Sequence, residues 1–367
     1  MNIFIATLLF FAFLGLLDRL LGGPMGLSVA FDDGLKTMGD LCLSMAGIYC
    51  IAITALNAHP DIFSNLSQIL PFDPSLIFGV LLAPDMGGFA TSVKTAADTS
   101  TGLYSGLLVS STLGCLISFV LPISLGTITQ KEVSSFMRGV LYGIIALPVG
   151  LFVGGILLQM NIKTLIRNLL PILLLCIFLA LALFFAARIC LKLFSLLGQA
   201  VRILSIVLFV ILAAGVFVPS VSLVSDDLIY EALTIALRIS LVVCGSMVAS
   251  HLILTRKREL LIRLGSLLGI NEYGAVGLFL SLATSISMLP LYSKMDSRGK
   301  AVNAAFTVSG AFVLGGQLAF VSSVAPSYSV AAYMVCKLLG GAAGIALTLL
   351  FTPSEKESCS PVCEQKH

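Results

Sequence analysis

Runs of about twenty mostly apolar residues follow one another through almost the whole chain, and this succession constrains the fold more than any motif does. A hydrocarbon core about 30 Å thick is crossed by about 20 residues of helix, and inside it every backbone polar group must be satisfied within the protein. The runs lie near residues 3–21, 38–56, 74–93, 101–125, 136–160, 169–191, 200–220, 228–254, 272–291, 301–324 and 328–351. Only 11% of the residues are charged, whereas a soluble domain carries about 25%, so a water-soluble enzyme is excluded. A net charge of +3 over 367 residues leaves no footprint for nucleic acid. The first run has no basic leader and no small-x-small cleavage site, so it is expected to be a span and not a signal peptide.

The chain resembles itself at an offset of 198 residues. Gly47 falls on Gly245 and Gly79 on Gly277, with several Leu pairs at the same offset, and the segment starts 3, 38 and 74 fall on 201, 236 and 272. The expected organisation is therefore a first membrane repeat over 1–160, a linking span within 161–199, a second repeat over 200–353 and a polar cytoplasmic tail over 354–367 that carries Cys359 and Cys363. Repeats of this kind build secondary transporters, with the site at the repeat interface.

Two paired segments are interrupted. In 74–93 the apolar run is cut by Pro84-Asp-Met-Gly-Gly88, where proline removes a helical donor and a carboxylate falls at mid-depth. In 272–291 the matching place holds Thr284-Ser-Ile-Ser-Met-Leu-Pro290. If both segments are re-entrant hairpins, only Lys94, Lys163 and Arg167 lie on one face, and the other basic residues of the loops and helix ends gather on the opposite, cytoplasmic one. Five true spans then separate corresponding positions, which inverts one repeat relative to the other. The fold class expected is an all-α polytopic membrane protein of two inverted repeats, with about nine spans and two hairpins. Its N-terminus is expected outside and its C-terminus in the cytoplasm; eleven full spans is the alternative.

Asp85 is the sharpest candidate for chemistry, because a carboxylate within an apolar segment is costly and marks a functional site by default. Met86, Gly87 and Gly88 offer backbone that leaves helical geometry, and Phe89 or Tyr104, beside Ser105, can present an aromatic face to a cation. From the second half, Ser285, Ser287, Asn303 and Gln317 are candidates for a polar end of the same ligand. Glu231, Arg238 and Asp40 lie toward helix ends and are expected to snorkel or to form structural ion pairs. No HExxH, G-x-S-x-G, Walker or G-x-G-x-x-G motif occurs, so no catalytic constellation, metal or cofactor is expected.

Longer stretches carry a resemblance. Leu81-Leu-Ala-Pro-Asp-Met-Gly-Gly-Phe89, Leu103-Tyr-Ser-Gly-Leu107, the run from Met295 to Gly315 and Lys337-Leu-Leu-Gly-Gly341 resemble the EutH family of ethanolamine permeases. The resemblance implies an inner-membrane carrier or facilitator that feeds ethanolamine to a pathway yielding acetaldehyde and ammonia. Two departures stand out. Gly315-Gly-Gln-Leu-Ala-Phe320 replaces the family's Gly-Asp-His-Leu-Gly-Phe, and Thr284-Ser-Ile-Ser-Met288 replaces its Asn-Asn-Ile-Pro-Met. The second half has thereby lost an acid and an imidazole, which leaves Asp85 to balance an ammonium. The expected function is transport of a small protonated amino alcohol, with a small cationic solute and the bilayer as partners and self-association left open. Transport of another small cation or polar metabolite, or a non-transporting membrane sensor or scaffold, are the alternatives.

Overall fold

The computed structural model describes residues 3–58, 69–218, 220, 222–256 and 258–352, and among these every regular element is helical. His59, the tail 354–367 and its two cysteines lie outside the described residues. Among the described residues, six helices are long and apolar enough to cross a bilayer: Thr99–Thr127, Gln130–Leu157, Ile162–Ala186, Leu196–Phe217, Asp226–Ile253 and Ser327–Phe351. The third and fourth form one helical run, Ile162–Phe217, divided where Ala186 leaves helical geometry at φ −135°. The first segment is Ile3–Leu20. The second is longer than its apolar stretch, running from Leu27 through a π-helical turn at Cys42–Ala46 to Ala58. Asp18 fixes its start by accepting from the N–H groups of Met25, Leu27 and Ser28 at 2.7–2.9 Å, which satisfies donors that a helix start leaves open.

Both interrupted segments fold as hairpins that return to where they began. In the first, helix Ser75–Leu81 ends in an extended step at Leu82–Ala83, a 3-10 turn at Pro84–Met86 follows, and helix Gly88–Thr95 runs back. Asp73 closes its base, accepting from Ser75 N and Ala97 N at 3.0 Å each, and Ser92 Oγ donates to Ser75 O. In the second, Glu272–Ala283, an extended Thr284, a 3-10 turn at Ser285–Met288 and the short helix Leu289–Tyr292 follow in the same order. Asn271 closes that base by donating to Lys294 O at 2.9 Å, while its N–H donates to Asp296 Oδ1. Asp73 and Asn271 are 198 residues apart, as are Asp98 and Asp296, which cap the helices that follow the hairpins.

The same offset relates packing contacts. A Cβ on Gly79 would strike Ser105 O, and one on Gly277 would strike Asn303 Oδ1, again a displacement of 198. Gly47 lies against Leu208 and Phe209, while Gly245 lies against Leu8 and Ala12, so the second segment of each half packs on the first segment of the other.

The hairpin bases sit at opposite ends of helix Gln130–Leu157. The first base is held by Asn168, whose side chain accepts from Asp73 N, and by Arg167, which donates to Pro71 O; nearby Leu165 packs on Gly155. The second base adjoins Lys300, which pairs with Glu132 at 3.2 Å and whose carbonyl accepts from Tyr292 Oη. Between Glu132 and Gly155 lies about 35 Å of helix.

Candidate functional site

The site begins at the break in the first hairpin. Seven residues of helix and the extended step carry the chain about 15–20 Å in from the base, so Asp85 stands near mid-depth. A broken helix frees polar backbone groups, and Thr99–Thr127 supplies their partners. Ser110 Oγ donates to Leu82 O at 2.6 Å, and Ala83 N donates to Ser118 Oγ at 3.2 Å. Much of that helix, Tyr104–Gly114 and Leu116–Val120, is wound as π-helix, a form that concentrates at functional sites. Glycine is needed at the turn for two reasons. Gly87 has φ +90°, and a Cβ on Gly88 would collide with Ser110 Oγ, Leu82 O and Ala83 O.

Asp85 itself is half-buried, and its carboxylate lies in the field of Lys337. Lys337 is the residue that sequence reasoning missed. It is 1% exposed, its Nζ donates to Ser111 O at 2.6 Å and to Gln317 Oε1 at 3.0 Å, and it lies 5.6 Å from the centre of the Tyr333 ring. Gln317 opens helix Gly316–Val324. Gln317 is thus hydrogen-bonded to Lys337, whose charge reaches Asp85, and among the described residues no direct ion pair joins Asp85 to Lys337. A signal was available: Lys337 is the eleventh residue of Ser327–Phe351, about 15 Å from its start, too deep to snorkel.

The second break is sealed differently. Helix Ser297–Ser309 stops, the chain unwinds through 310–315, and Phe312 N and Leu314 N donate to Ser281 O and Leu282 O of the second hairpin. Phe312 is held at φ +65°, a conformation that bulky residues avoid, and its carbonyl accepts from Tyr333 Oη at 2.9 Å. This unwound stretch places Gln317 beside Lys337.

The remaining candidates divide. Phe89 packs edge-to-face on Phe320 at 5.8 Å, one turn beyond Asp85, and Met86 is buried at the tip. Ser105 is buried with its hydroxyl bonded to Ser75 Oγ at 2.8 Å, a tie between hairpin and helix. Tyr104 is fully buried, and its hydroxyl has no partner among the described residues. Asn303 donates to Gly274 O and Gly299 O at 2.9 Å, tying the second hairpin to the helix after it, while its Oδ1 is unpaired. Ser285 and Ser287 lie in the second tip, and among the described residues no hydrogen bond ties them to Asp85.

A cavity of about 400 Å³ is lined in part by Phe89, the ring that packs on Phe320. Tyr49, Phe89, Tyr230, Glu231, Thr234 and Arg238 line it, with Ser323 and Val324 closing one wall. Tyr49 Oη donates to a carboxylate oxygen of Glu231 at 2.9 Å. Glu231 and Arg238, both exposed, line one shared space. The separation of seven residues, two helical turns, puts both on one face.

Broken hairpins that begin at opposite ends of a bundle of long apolar helices, with charged side chains between them, define a multi-pass membrane protein with a polar interior. Sequence comparison then places it: the family model described as ethanolamine utilisation protein, EutH, matches residues 1–351, and the chain belongs to that family. It is 33% identical over 351 residues to the probable ethanolamine permease EutH of Listeria monocytogenes, covering 94% of this chain and 92% of that one. It is 29% identical over 395 residues to the protein of the same name in Escherichia coli, covering 96% of each. An uncharacterized protein of Bacillus subtilis, YxeR, is 32% identical over 341 residues, covering 93% of this chain and 92% of that one. No solved structure matches the chain.

Proposed function

We propose that this protein carries ethanolamine across the cytoplasmic membrane as the protonated amine, with Asp85 receiving the ammonium. The observation that carries the proposal is a carboxylate at the tip of a broken hairpin, at mid-depth, in a chain whose relatives are named for ethanolamine permeation. Gly87 and Gly88 let the ligand approach the backbone there, Gln317 faces the same cluster through Lys337, and Phe89 offers a ring edge or face beside it. Met86, Tyr104, Ser105, Ser285, Ser287 and Asn303 support the two breaks around this centre.

The two halves are inverted repeats in this reading. Support comes from the shared 198-residue offset in caps and close contacts, from the reciprocal packing of Gly47 and Gly245, and from hairpin bases at opposite ends of Gln130–Leu157. Adding Ile3–Leu20, the 27–58 helix and the broken 297–324 helix to the six long helices makes nine crossings. Tyr49, Glu231 and Ser323 all line one cavity near the ends of their segments at Ala58, Asp226 and Val324. Those three ends share a face only if each hairpin returns to the side it came from. The charge distribution then puts the N-terminus outside and the C-terminus in the cytoplasm.

An Asp85 occupied by an ammonium is a poor site for a proton, so substrate moves as a cation, electrogenically or by facilitated diffusion. Uptake of radiolabelled ethanolamine into vesicles holding the protein tests the whole reading. Saturable uptake that follows membrane potential and persists when the pH gradient alone is collapsed is expected, since one charge crossing 100 mV is worth about 2.3 kcal/mol. Uptake that vanishes with the pH gradient at clamped potential would refute the cation mechanism, and no saturable uptake would refute the substrate.

A further inference from the structure

The cavity behind Phe89 combines features that an apolar crevice between helices does not need. Glu231 holds one carboxylate oxygen on the Tyr49 hydroxyl. Three aromatic rings, Tyr49, Phe89 and Tyr230, line the same space, and ring faces attract organic cations. Arg238 stands on the same face two turns deeper, the thirteenth residue of Asp226–Arg256, about 18 Å from its start. A guanidinium at that depth is tolerated where it faces water, so the cavity is a wet one. Its volume, about 400 Å³, lies within the range of small-molecule pockets.

We infer that this cavity is a second ammonium-binding site, in which Glu231 and the rings of Tyr49, Tyr230 and Phe89 hold a small primary or quaternary amine before it passes to Asp85. The inference rests on the carrier reading above. Arg238 orients the ligand: its charge keeps the ammonium at the Glu231 end, and its N–H groups donate to a hydroxyl oxygen two carbons away. A neutral alcohol gains nothing from Glu231 or the rings, and an amino alcohol gains at both ends. Asp85, Gln317 and Lys337 are not among the residues that line this cavity, so the two sites are separate and can be filled together.

Equilibrium binding of radiolabelled ethanolamine to the full chain in lipid nanodiscs tests this, because it needs no transport. The wild type is expected to bind more than one ethanolamine per chain. Asp85→Asn is expected to keep the class of sites held by Glu231, Glu231→Gln the class held by Asp85, and the double variant neither. Tyr230 is largely exposed, so Tyr230→Ala leaves the packing intact and is expected to weaken the Glu231 class several-fold; Glu231→Asp is expected to retain part of it. Loss of all binding in Asp85→Asn, or unchanged binding in both Glu231→Gln and Tyr230→Ala, would overturn the second site while leaving Asp85 in place. Unchanged binding in Asp85→Asn with complete loss in Glu231→Gln would overturn the role of Asp85 and leave the cavity as the one site.

Discussion

Lys337 Nζ donates to Gln317 Oε1 at 3.0 Å in the interior of the bundle, with a second bond to Ser111 O. The amide of Gln317 stands where the family pattern described above has an imidazole, and it serves as an acceptor for a buried ammonium. The Lys337 side chain therefore already lies in the neighbourhood of Asp85. In the proposed carrier, a cationic substrate would enter against the Lys337 ammonium, which would limit how tightly Asp85 holds it.

Replacing Asp85 is the direct test of the ammonium site. Asp85→Asn is expected to leave the protein in the membrane and abolish saturable ethanolamine uptake, since losing a charge-assisted partner in a desolvated site costs on the order of 2–5 kcal/mol. Asp85→Glu keeps the charge but displaces it beside Gly87 and Gly88, and is expected to be partly impaired. Uptake assays with matched membrane levels check both, and normal uptake by Asp85→Asn would return this carboxylate to a local turn-stabilising role.

Removing the resident ammonium should act in the opposite sense on affinity. In Lys337→Gln, Asp85 no longer shares its field with a protein cation, so the apparent KM for ethanolamine is expected to fall. Release slows for the same reason, and maximal uptake falls with it. The concentration dependence of initial uptake separates the two, and a raised KM would show that Lys337 supports binding instead of opposing it.

The glycine turn makes a stability prediction. A Cβ on Gly88 meets Ser110 Oγ and two carbonyl oxygens at the break, so Gly88→Ala is expected to destabilise the folded protein by roughly 1–3 kcal/mol and to lower its thermal midpoint in detergent. Gly126, whose Cβ would meet nothing within 4 Å, is the control, and Gly126→Ala is expected to leave the midpoint nearly unchanged.

Topology is open to cysteine labelling. Residues 256–263 and 294–300 are expected on the inner face together, with 57–73 and Lys163 on the outer face. Opposite accessibility of 256–263 and 294–300 would make the second broken segment a full span and remove the inverted repeat.

Local sequence carried the membrane architecture a long way. Apolar run length alone finds every long helix, because a bilayer leaves the chain almost no alternative to helix, but not every end, since the second begins at Leu27 and not near 38. Pro84 and the paired glycines mark the first break for local steric reasons, and the gapless 198-residue offset of Gly47/Gly245 and Gly79/Gly277 recurs in the helix caps and close contacts. Tertiary structure decided where the charges meet. Lys337 lies in a helix rich in Ala, Gly and Leu, and its partners Ser111 and Gln317 come from segments 226 and 20 residues away, so only packing reveals that it shares a site with Asp85. Glu231 and Arg238 look like snorkelling side chains along their own helix, and only the tertiary structure shows that they line one cavity with Tyr49 and Phe89 from the other half of the chain. Periodicity and length report what each segment must bury; which buried charges share a field depends on contacts between segments far apart in sequence, and no local pattern encodes those.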